Sequence, residues 1–506
     1  MGKRDILVVS LLALVSAVGC IPEKRVVWSP DGTRALVRMG GNRLFVLDGP
    51  DLKPRDLGVR AYGADWLPDG RRAVATVIEE HATWDSLAPS LSADDRGKVV
   101  DAAKKLADAI MAFEGPIDQF KAEDLLPKDG AVAAAAVVCM RDTASDELKT
   151  KVGEDWQDLK EIKAAVCRVV VIDTAAEGGA EAAESLGSVL YTLPGQEKDE
   201  LLAQDVRPFV APNGRAVALL LPRPEHALSK TQPAFALAIC TVDPPGVLRI
   251  VDEKVGYEVA WNADGAQLAY FMYKGEAPPS GKDEDEARLG TLVTRDVVYE
   301  DSGGLAAEQP GVRERAGVLF QSFAGLQYAP DGSLLFAAVE ATLPATPADM
   351  PQGWRLFRWD PNYPRVVTHV LPAAAVRVFD APSSVAWFFA VSPDGRRVLL
   401  AGDEDEKHKQ YLYDLHSGEW TVLEGIASNV HGIAPTWRGA AEITAVVVPG
   451  DERGSANRNE LVLIKLGDDG KPTSSRCLSR DWPDEWVKDW FEVKEPASQP
   501  ATQPTE

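Results

Sequence analysis

Apolar and polar residues alternate in short runs along most of this chain, and many runs end in a turn of similar sequence. The turn starts with an aromatic residue or valine, usually has proline third, and closes with Asp-Gly or Asn-Gly. Proline fixes one backbone angle, Asp or Asn suits the next position, and glycine completes the turn, so each copy predicts the tip of a β-hairpin. The complete copies are Trp28–Gly32, Trp66–Gly70, Val210–Gly214, Trp261–Gly265, Tyr328–Gly332 and Val391–Gly395. A seventh copy, at Trp437, has lost its turn residues.

A second motif follows each hairpin, namely a run of β-forming residues that ends in aspartate. The runs are Leu44–Asp48, Val169–Asp173, Ile239–Asp243, Leu292–Asp296, Leu356–Asp360, Tyr411–Asp414 and, with lysine at its end, Leu461–Lys465. A further short strand comes next, so one unit contains four strands. The recurrence of this four-stranded unit predicts an all-β, seven-bladed β-propeller. Six blades are the alternative if the degenerate last copy does not form a blade that closes the ring.

The two motifs together resemble the WD-like propeller repeat of the TolB type, which occurs in periplasmic bacterial proteins. The resemblance covers nearly all of residues 26–482 apart from one insertion. It implies the propeller fold. It does not imply one activity, because this repeat serves scaffolds, binding proteins and non-catalytic domains of peptidases alike.

The second predicted blade is interrupted. Asp31 precedes Asp48 by 17 residues, whereas Asp69 precedes Asp173 by 104. The extra residues, roughly 81–165, change from two-residue to helical periodicity and predict an α-helical insertion in the second blade. One helix is expected to start at Ser92 and another to run from 146 to 163, while the alanine-rich stretch 131–140 stays unassigned.

Two tryptophans of this insertion, Trp84 and Trp156, are candidates for contact with a partner, because tryptophan is enriched in binding hot spots. The alternative is that both pack the helices onto the adjacent blade.

The N-terminus reads as an export signal. Lys3 and Arg4 precede an apolar stretch, Ile6–Val18, that is short for a membrane span. Small residues before Cys20 resemble the bacterial lipobox, which implies a signal peptide at 1–19 and lipidation of Cys20. Cleavage after Ala17 by ordinary signal peptidase is the alternative. The resemblance places the protein at the periplasmic face of the outer membrane, and the soluble periplasm and the cell surface are alternatives.

The acidic composition of the chain limits the classes of binding partner. The chain has 506 residues, 45% of them hydrophobic, a net charge of −23 and a pI near 4.8. Such acidity disfavours nucleic acid and anionic lipid as partners of the folded body, so contact with a membrane is expected through the lipid anchor only.

No catalytic, metal-binding or cofactor-binding residue is predicted. The sequence lacks a GxSxG elbow and a phosphate-binding P-loop, and its six histidines are dispersed. The recurring strand-end aspartates are interpreted as hydrogen-bonding partners of turns. The four cysteines after the signal, Cys139, Cys167, Cys240 and Cys477, either form two disulfides, with Cys139–Cys167 the first pair to test, or act as small buried hydrophobes.

The predicted propeller domain spans 20–485, and a C-terminal helix and disordered tail span 486–506. Trp482, Trp486 and Trp490 recur every four residues, which suggests a short helix that caps the ring or a docking stripe. The predicted function is a cell-envelope binding or scaffold module for a protein or small ligand. The alternative is a propeller enzyme, a lyase, cyclase or hydrolase, with polar residues at the channel mouth. Several His, Arg or carboxylate groups at that mouth would favour the enzyme, and the sequence leaves the oligomeric state open.

Overall fold

The structure of the protein is a computed structural model. It describes residues 24–115, 120, 126–127, 129–176, 183–191, 206–223, 234–246, 248–273, 288–320, 325–339, 354–371, 389–404, 407–423, 435–447, 460–483 and 485–486. These residues form an all-β propeller whose antiparallel sheets follow one another in chain order, and the first and last sheets share one apolar cluster. Cys20 and the rest of the predicted signal lie outside the described residues.

The first two sheets each contain four strands in sequential order. The first sheet consists of β1 (Val26–Trp28), β2 (Ala35–Met39), β3 (Arg43–Asp48) and β4 (Lys53–Arg60). The second consists of β5 (Gly63–Trp66), β6 (Arg72–His81), β7 (Ala164–Asp173) and β8 (Glu184–Tyr191).

A long continuous sheet follows. Its strands are β9 (Arg207–Val210), β10 (Ala216–Arg223), β11 (Ala234–Thr241), β12 (Arg249–Trp261), β13 (Gln267–Tyr273), β14 (Arg288–Asp296), β15 (Arg313–Phe320), β16 (Leu326–Tyr328), β17 (Leu334–Val339), β18 (Trp354–Trp359) and β19 (Val367–His369).

Two further sheets of four strands complete the propeller. One consists of β20 (Phe389–Val391), β21 (Arg397–Glu404), β22 (Lys407–Asp414) and β23 (Trp420–Leu423). The other consists of β24 (Thr436–Trp437), β25 (Glu442–Val447), β26 (Glu460–Leu466) and β27 (Pro472–Cys477).

The described strands therefore form five sheets, and the prediction of seven blades, or of six, is wrong. The cause lies in the long sheet, which contains three of the predicted units. Strand β12 is 13 residues long; its first half pairs with β11 and its second half with β13, so it belongs to two units at once. Strand β15 also pairs with β17, through Leu319 and Val339. Hairpin periodicity marks the units but does not show where neighbouring units share a strand.

The repeated turns have the predicted geometry. In the first copy the N–H of Gly32 donates to the carbonyl of Ser29 at 2.8 Å, and the Asp31 carboxylate accepts from the N–H of Thr33 at 3.0 Å. Gly32 has a φ of +67°, a left-handed conformation that favours glycine. The turn aspartate and glycine thus have a structural function.

Most repeated tryptophans tie one unit of the repeat to the unit before it. The indole nitrogen of Trp66 donates to the carbonyl of Val27 at 2.8 Å, and that of Trp261 donates to Phe209 at 2.8 Å. Trp437 donates in the same way to Ala390 at 2.9 Å. In each pair the acceptor directly precedes the first residue of the previous turn motif. The aromatic ring, buried in Trp66 and Trp261 and partly buried in Trp437, packs between neighbouring units while its N–H donates to a backbone carbonyl.

Two copies begin with valine and have no indole. In these copies the N–H of the valine donates to a side-chain oxygen of the preceding sheet. The N–H of Val210 donates to the Asp65 carboxylate at 2.9 Å. The N–H of Val391 donates to the Gln327 side-chain carbonyl, also at 2.9 Å. Asp65 and Gln327 both directly precede the aromatic residue of the earlier copy. The same position therefore supplies an acceptor where the next copy begins with valine.

The ends of the chain meet at the junction of the first and last sheets. The Trp28 indole donates to the Thr444 hydroxyl at 2.7 Å. Trp482 is buried in the apolar cluster of this junction, and the ring of Trp486 lies 4.6 Å from that of Phe45. Trp490, the third tryptophan of the predicted stripe, lies outside the described residues.

Five α-helices are described between β6 and β7: α1 (Trp84–Leu87), α2 (Ala93–Ala112), α3 (Gly130–Thr143), α4 (Asp146–Val152) and α5 (Trp156–Leu159). Short 3₁₀ turns occupy Gly40–Asn42, Ala88–Ser90 and Gly153–Asp155. None of the helices in the described part of the chain is long and apolar enough to cross a membrane.

The insertion shows which helical predictions hold. Ser92 caps α2 as expected, because its side chain accepts from the N–H of Asp95 at 3.0 Å. The alanine-rich stretch that the sequence left unassigned forms α3. The predicted helix 146–163 is broken into α4 and α5, because Gly153 adopts a φ of +65°.

Arg141 anchors the helices to the ring. Its buried guanidinium donates to the carbonyls of Leu159 and Ile162, at 3.0 and 3.2 Å, and to that of Ala82. These acceptors lie at the two points where the chain leaves and re-enters the sheet. One side chain thus satisfies backbone groups that the interruption of the sheet leaves without strand partners.

Candidate functional site

A cavity of about 150 Å³ lies where β1, β5 and β9 meet, the first strands of three successive sheets. We call it the recess. Four cationic side chains line it, and the acidic side chain of Asp65 lies among them; the cations are Lys24, Arg25, Arg38 and Arg207. Apolar side chains of β1, β2, β3 and β9 complete the wall.

The repeat itself positions these residues. Arg25, Arg207 and Glu258 each stand three residues before the first residue of a turn motif. Side chains two residues apart on a strand share a face, so Arg207 and Phe209 point to the same side. In the second copy the equivalent position is Gly63, where an added Cβ would lie 2.5 Å from the Val206 carbonyl oxygen. No side chain fits there, because the backbone of β9 approaches Gly63 closely, and Gly63 itself lines the recess.

Arg207 is held in place from several sides. Its Nη1 lies 2.9 Å from Oε1 of Glu258, and both side chains are almost fully buried. The guanidinium also lies 5.1 Å from the Phe209 ring and 4.8 Å from the Tyr257 ring. Burial opposes its charge, but the interactions with Glu258 and Tyr257 together outweigh burial and raise the pKa of Arg207. The recess therefore contains a permanent positive charge in a fixed position.

Asp65 is the acidic group of the recess. Its carboxylate accepts hydrogen bonds from the N–H of Val210 at 2.9 Å and from that of Trp66 at 2.8 Å. Desolvation raises its pKa to about 6, although both hydrogen bonds and the charges of Lys24 and Arg207 act in the opposite direction. Asp65 thus exchanges its proton near neutral pH, unlike an ordinary surface aspartate.

Lys24 stands at the opening of the recess. Its side chain is exposed, yet protein surrounds it closely enough that desolvation lowers its pKa, opposed by the charges of Glu258 and Asp65. Within the described residues the amine makes no hydrogen bond or ion pair, so it can meet an incoming anion.

Arg38 completes the cationic wall. This side chain extends from β2 and donates a hydrogen bond from Nη1 to the carbonyl of Tyr62, the residue before β5. It thereby joins the first sheet to the second at the wall of the recess.

The residues predicted from sequence lie elsewhere. Trp84 and Trp156 are partly buried and pack against the apolar core of the helical insertion. This packing agrees with their structural interpretation, and a role in partner contact stays a prediction. The strand-end aspartates Asp173 and Asp414 accept turn N–H groups, each with a bond of 2.9 Å, as expected.

The described cysteines are free thiols. Cys139 belongs to the core of the insertion, whereas Cys167 and Cys240 share a different apolar cluster between sheets. Desolvation raises the pKa of Cys139 to about 11 and those of Cys167 and Cys240 to about 12. Cys477 is half-buried. These thiols resemble small apolar side chains more than reactive groups.

Sequence reasoning missed the recess, although a signal for it was present. Arg25, Arg207 and Glu258 are charged residues at the same position of three copies, where the strands themselves are apolar. Within the described residues, no group of three or more His, Cys, Asp or Glu side chains could hold a metal ion.

No protein-family model matches the sequence, and no curated protein matches it. Solved structures with a similar course of the chain include TolB from Acinetobacter baumannii, at 12% identity and a TM-score of 0.33, covering 59% of this chain and 57% of that one. An oligogalacturonate lyase in complex with manganese covers 89% of this chain and 91% of its own, at 11% identity and a TM-score of 0.44.

The β-propeller domain of the Trilobed protease from Pyrococcus furiosus, which has an open velcro topology, covers 60% of this chain and 76% of its own, at 14% identity and a TM-score of 0.34. The chain spans little more than half the length of the TolB structure. The neighbours include TolB-like propellers, but likenesses this weak carry no argument about activity.

Proposed function

We propose that this protein is a binding module of the cell envelope that holds a small anionic ligand in the recess. The observation that carries the proposal is the gathering of four cations in one cavity of a chain whose net charge is −23. An acidic surface repels anions, so a site for them needs a local excess of positive charge. The four cations outnumber the two acids Asp65 and Glu258, and Lys24 forms no ion pair among the described residues.

The size of the recess limits the ligand. A volume of about 150 Å³ holds roughly five water molecules at about 30 Å³ each. A compact carboxylate or sulfonate fits this space, as does the acidic end group of a longer molecule. The apolar wall near Phe209 provides contact for a short hydrocarbon part.

Calorimetric titration tests the proposal, with sulfate and methanesulfonate as probes and neutral glycerol as the comparison. We expect both anions to bind and glycerol not to bind. Lys24→Gln should weaken sulfate binding by about tenfold, and the charge reversal Lys24→Glu should weaken it further. Added chloride should weaken it as well, because salt screens exposed charges.

The matched control is Lys98→Gln, which removes a lysine from α2 that pairs with Asp94 at 2.6 Å, away from the recess. It should leave the affinity for sulfate unchanged. If neither anion binds, or if both Lys24 variants bind sulfate as the unaltered protein does, the proposal is wrong.

A second candidate is catalysis in the same recess by a lyase, cyclase or hydrolase. Asp65, whose pKa is about 6, stands among fixed cations, which suits proton transfer to or from an anionic substrate. Catalysis predicts that Asp65→Asn abolishes turnover of a substrate that still binds. The binding function predicts that this variant keeps or strengthens anion affinity without any turnover to lose.

We further propose attachment to the membrane through acylated Cys20. Lys24 follows Cys20 by four residues, which span at most about 14 Å when fully extended. An acyl anchor would therefore hold the recess close to the membrane surface. That placement favours a small diffusing ligand over a large partner at this end of the ring.

A further inference from the structure

We propose that anion binding in the recess is coupled to uptake of a proton by Asp65, so that the protein binds its ligand in acid and releases it as the pH rises. This inference rests on the proposed function, since it concerns how the same site is regulated.

The fold needs an acceptor at position 65 but does not need a negative charge there. Asp65 accepts the Val210 N–H at 2.9 Å, and Gln327 accepts the Val391 N–H at the same distance in the equivalent position of another unit. The oxygen of a neutral amide is therefore a sufficient acceptor for the fold at this position. The carboxyl group of Asp65 adds to this structural role a charge that can be switched off.

The surroundings of Asp65 make that switch effective. The charged groups of the recess are Lys24 and Arg25 before β1, Arg38 on β2, Arg207 on β9 and, paired with Arg207, Glu258 on β12. Tyr62 also lines the recess, and Tyr257 lies beside Arg207. The described lining contains no histidine. Asp65 is thus an acidic group of this lining whose charge changes near pH 6.

Ionised Asp65 competes directly with an incoming anion. When deprotonated it attracts Lys24 and Arg207, and it repels a second negative charge in the same small volume. When protonated it still accepts the two N–H groups through its oxygens, and the cations then face the ligand alone. By linkage, an anion that enters raises the pKa of Asp65 above its resting value of about 6, so proton and anion bind together.

Sulfate is the probe for this coupling, because its own charge does not change between about pH 5 and pH 8. We expect its affinity for the unaltered protein to fall by about tenfold over this range. Asp65→Asn keeps a side-chain carbonyl for Val210, and it should bind sulfate with the acid-form affinity at every pH. Glu80→Gln removes an exposed acid outside the recess and should retain the pH dependence.

Calorimetry in two buffers with different ionisation enthalpies supplies a second readout. Near pH 6.5 the unaltered protein should take up part of a proton for each sulfate bound, and Asp65→Asn should take up none. Sulfate binding that is equally tight at all pH values, or a pH dependence that survives in Asp65→Asn, would overturn the coupling while the binding function stands. Absence of sulfate binding to both proteins at pH 5 would remove the binding function itself.

Discussion

Arg438, in the last sheet, donates a hydrogen bond from Nε to the carbonyl oxygen of Gly32, in the first sheet, at 2.9 Å. Its guanidinium also lies 4.9 Å from the ring of Trp28. Arg438 directly follows Trp437, in the copy of the repeat that has lost its turn residues. The degenerate copy therefore does not leave the ring open, because an arginine in the altered turn reaches across the junction instead.

Replacing Arg438 with alanine should weaken this junction. The variant loses a hydrogen bond from a charged donor and a cation–π contact, and we expect the free energy of unfolding to fall by about 1–2 kcal/mol. Urea unfolding followed by tryptophan fluorescence measures the change. Arg71→Ala, which removes an exposed ion pair within the second sheet, is the control and should have little effect. Equal stability of Arg438→Ala and the unaltered protein would contradict this account of closure.

The indole of Trp66 offers a test of the contact between sheets. Trp66→Phe keeps most of the buried ring but removes the hydrogen bond from the indole N–H to the part-buried carbonyl of Val27. We expect a loss of about 1 kcal/mol in the free energy of unfolding. Trp420→Phe, at a partly exposed ring on an outer strand, should cost clearly less. A similar cost for the two variants would mean that the hydrogen bond contributes nothing beyond packing.

The sequence was enough to predict the propeller but not how its units join. The turn motif shows where each hairpin turns, because Pro, Asp and Gly have local backbone preferences. Whether β12 serves one unit or two depends on pairing between strands distant in sequence, and no local pattern encodes it. In some copies an indole N–H donates to a backbone carbonyl of the previous unit, and in the valine copies a backbone N–H donates to a side-chain oxygen instead. This replacement is likewise visible only when both partners are in place. The recess depends on the close approach of β9 to Gly63 and on charges from three sheets, which no local pattern brings together.

Asp65 should make stability depend on pH. Its pKa is about 6 in the folded protein, above the ordinary 3.8, so the folded state holds this proton more tightly than the unfolded state does. The contribution to stability is complete below about pH 4 and is lost as the pH rises through 6. Relative to the unaltered protein, Asp65→Asn should therefore gain about 1 kcal/mol between pH 5 and pH 8.

Urea unfolding at these two pH values measures that gain. Asp31→Asn is the matched control, because hydrogen bonds from Ser29 and Thr33 lower the pKa of Asp31. Its carboxyl is ionised throughout this range, so the variant should show no such slope. A gain in Asp31→Asn as large as that in Asp65→Asn would point to a general charge effect.

Cys20→Ser tests the proposed lipid anchor. Serine cannot form the thioether that holds the diacylglycerol, so the protein should move from the membrane fraction to the soluble periplasmic fraction. Fractionation and immunoblotting measure the change, with Cys477→Ser as the control that should stay at the membrane. Membrane association that persists in Cys20→Ser would exclude this anchor.

Strands β6 and β7 keep ten paired residues, from Arg72 with Asp173 to His81 with Ala164, although about eighty residues separate the two strands in sequence. The strand pair thus keeps its register although the helical insertion connects its far ends. Arg141 holds the insertion by hydrogen bonds to the backbone where the chain leaves β6 and where it enters β7. This end of the second sheet is accordingly a natural grafting site, where a reporter or an unrelated domain could replace the helices and leave the remaining ring to assemble as before.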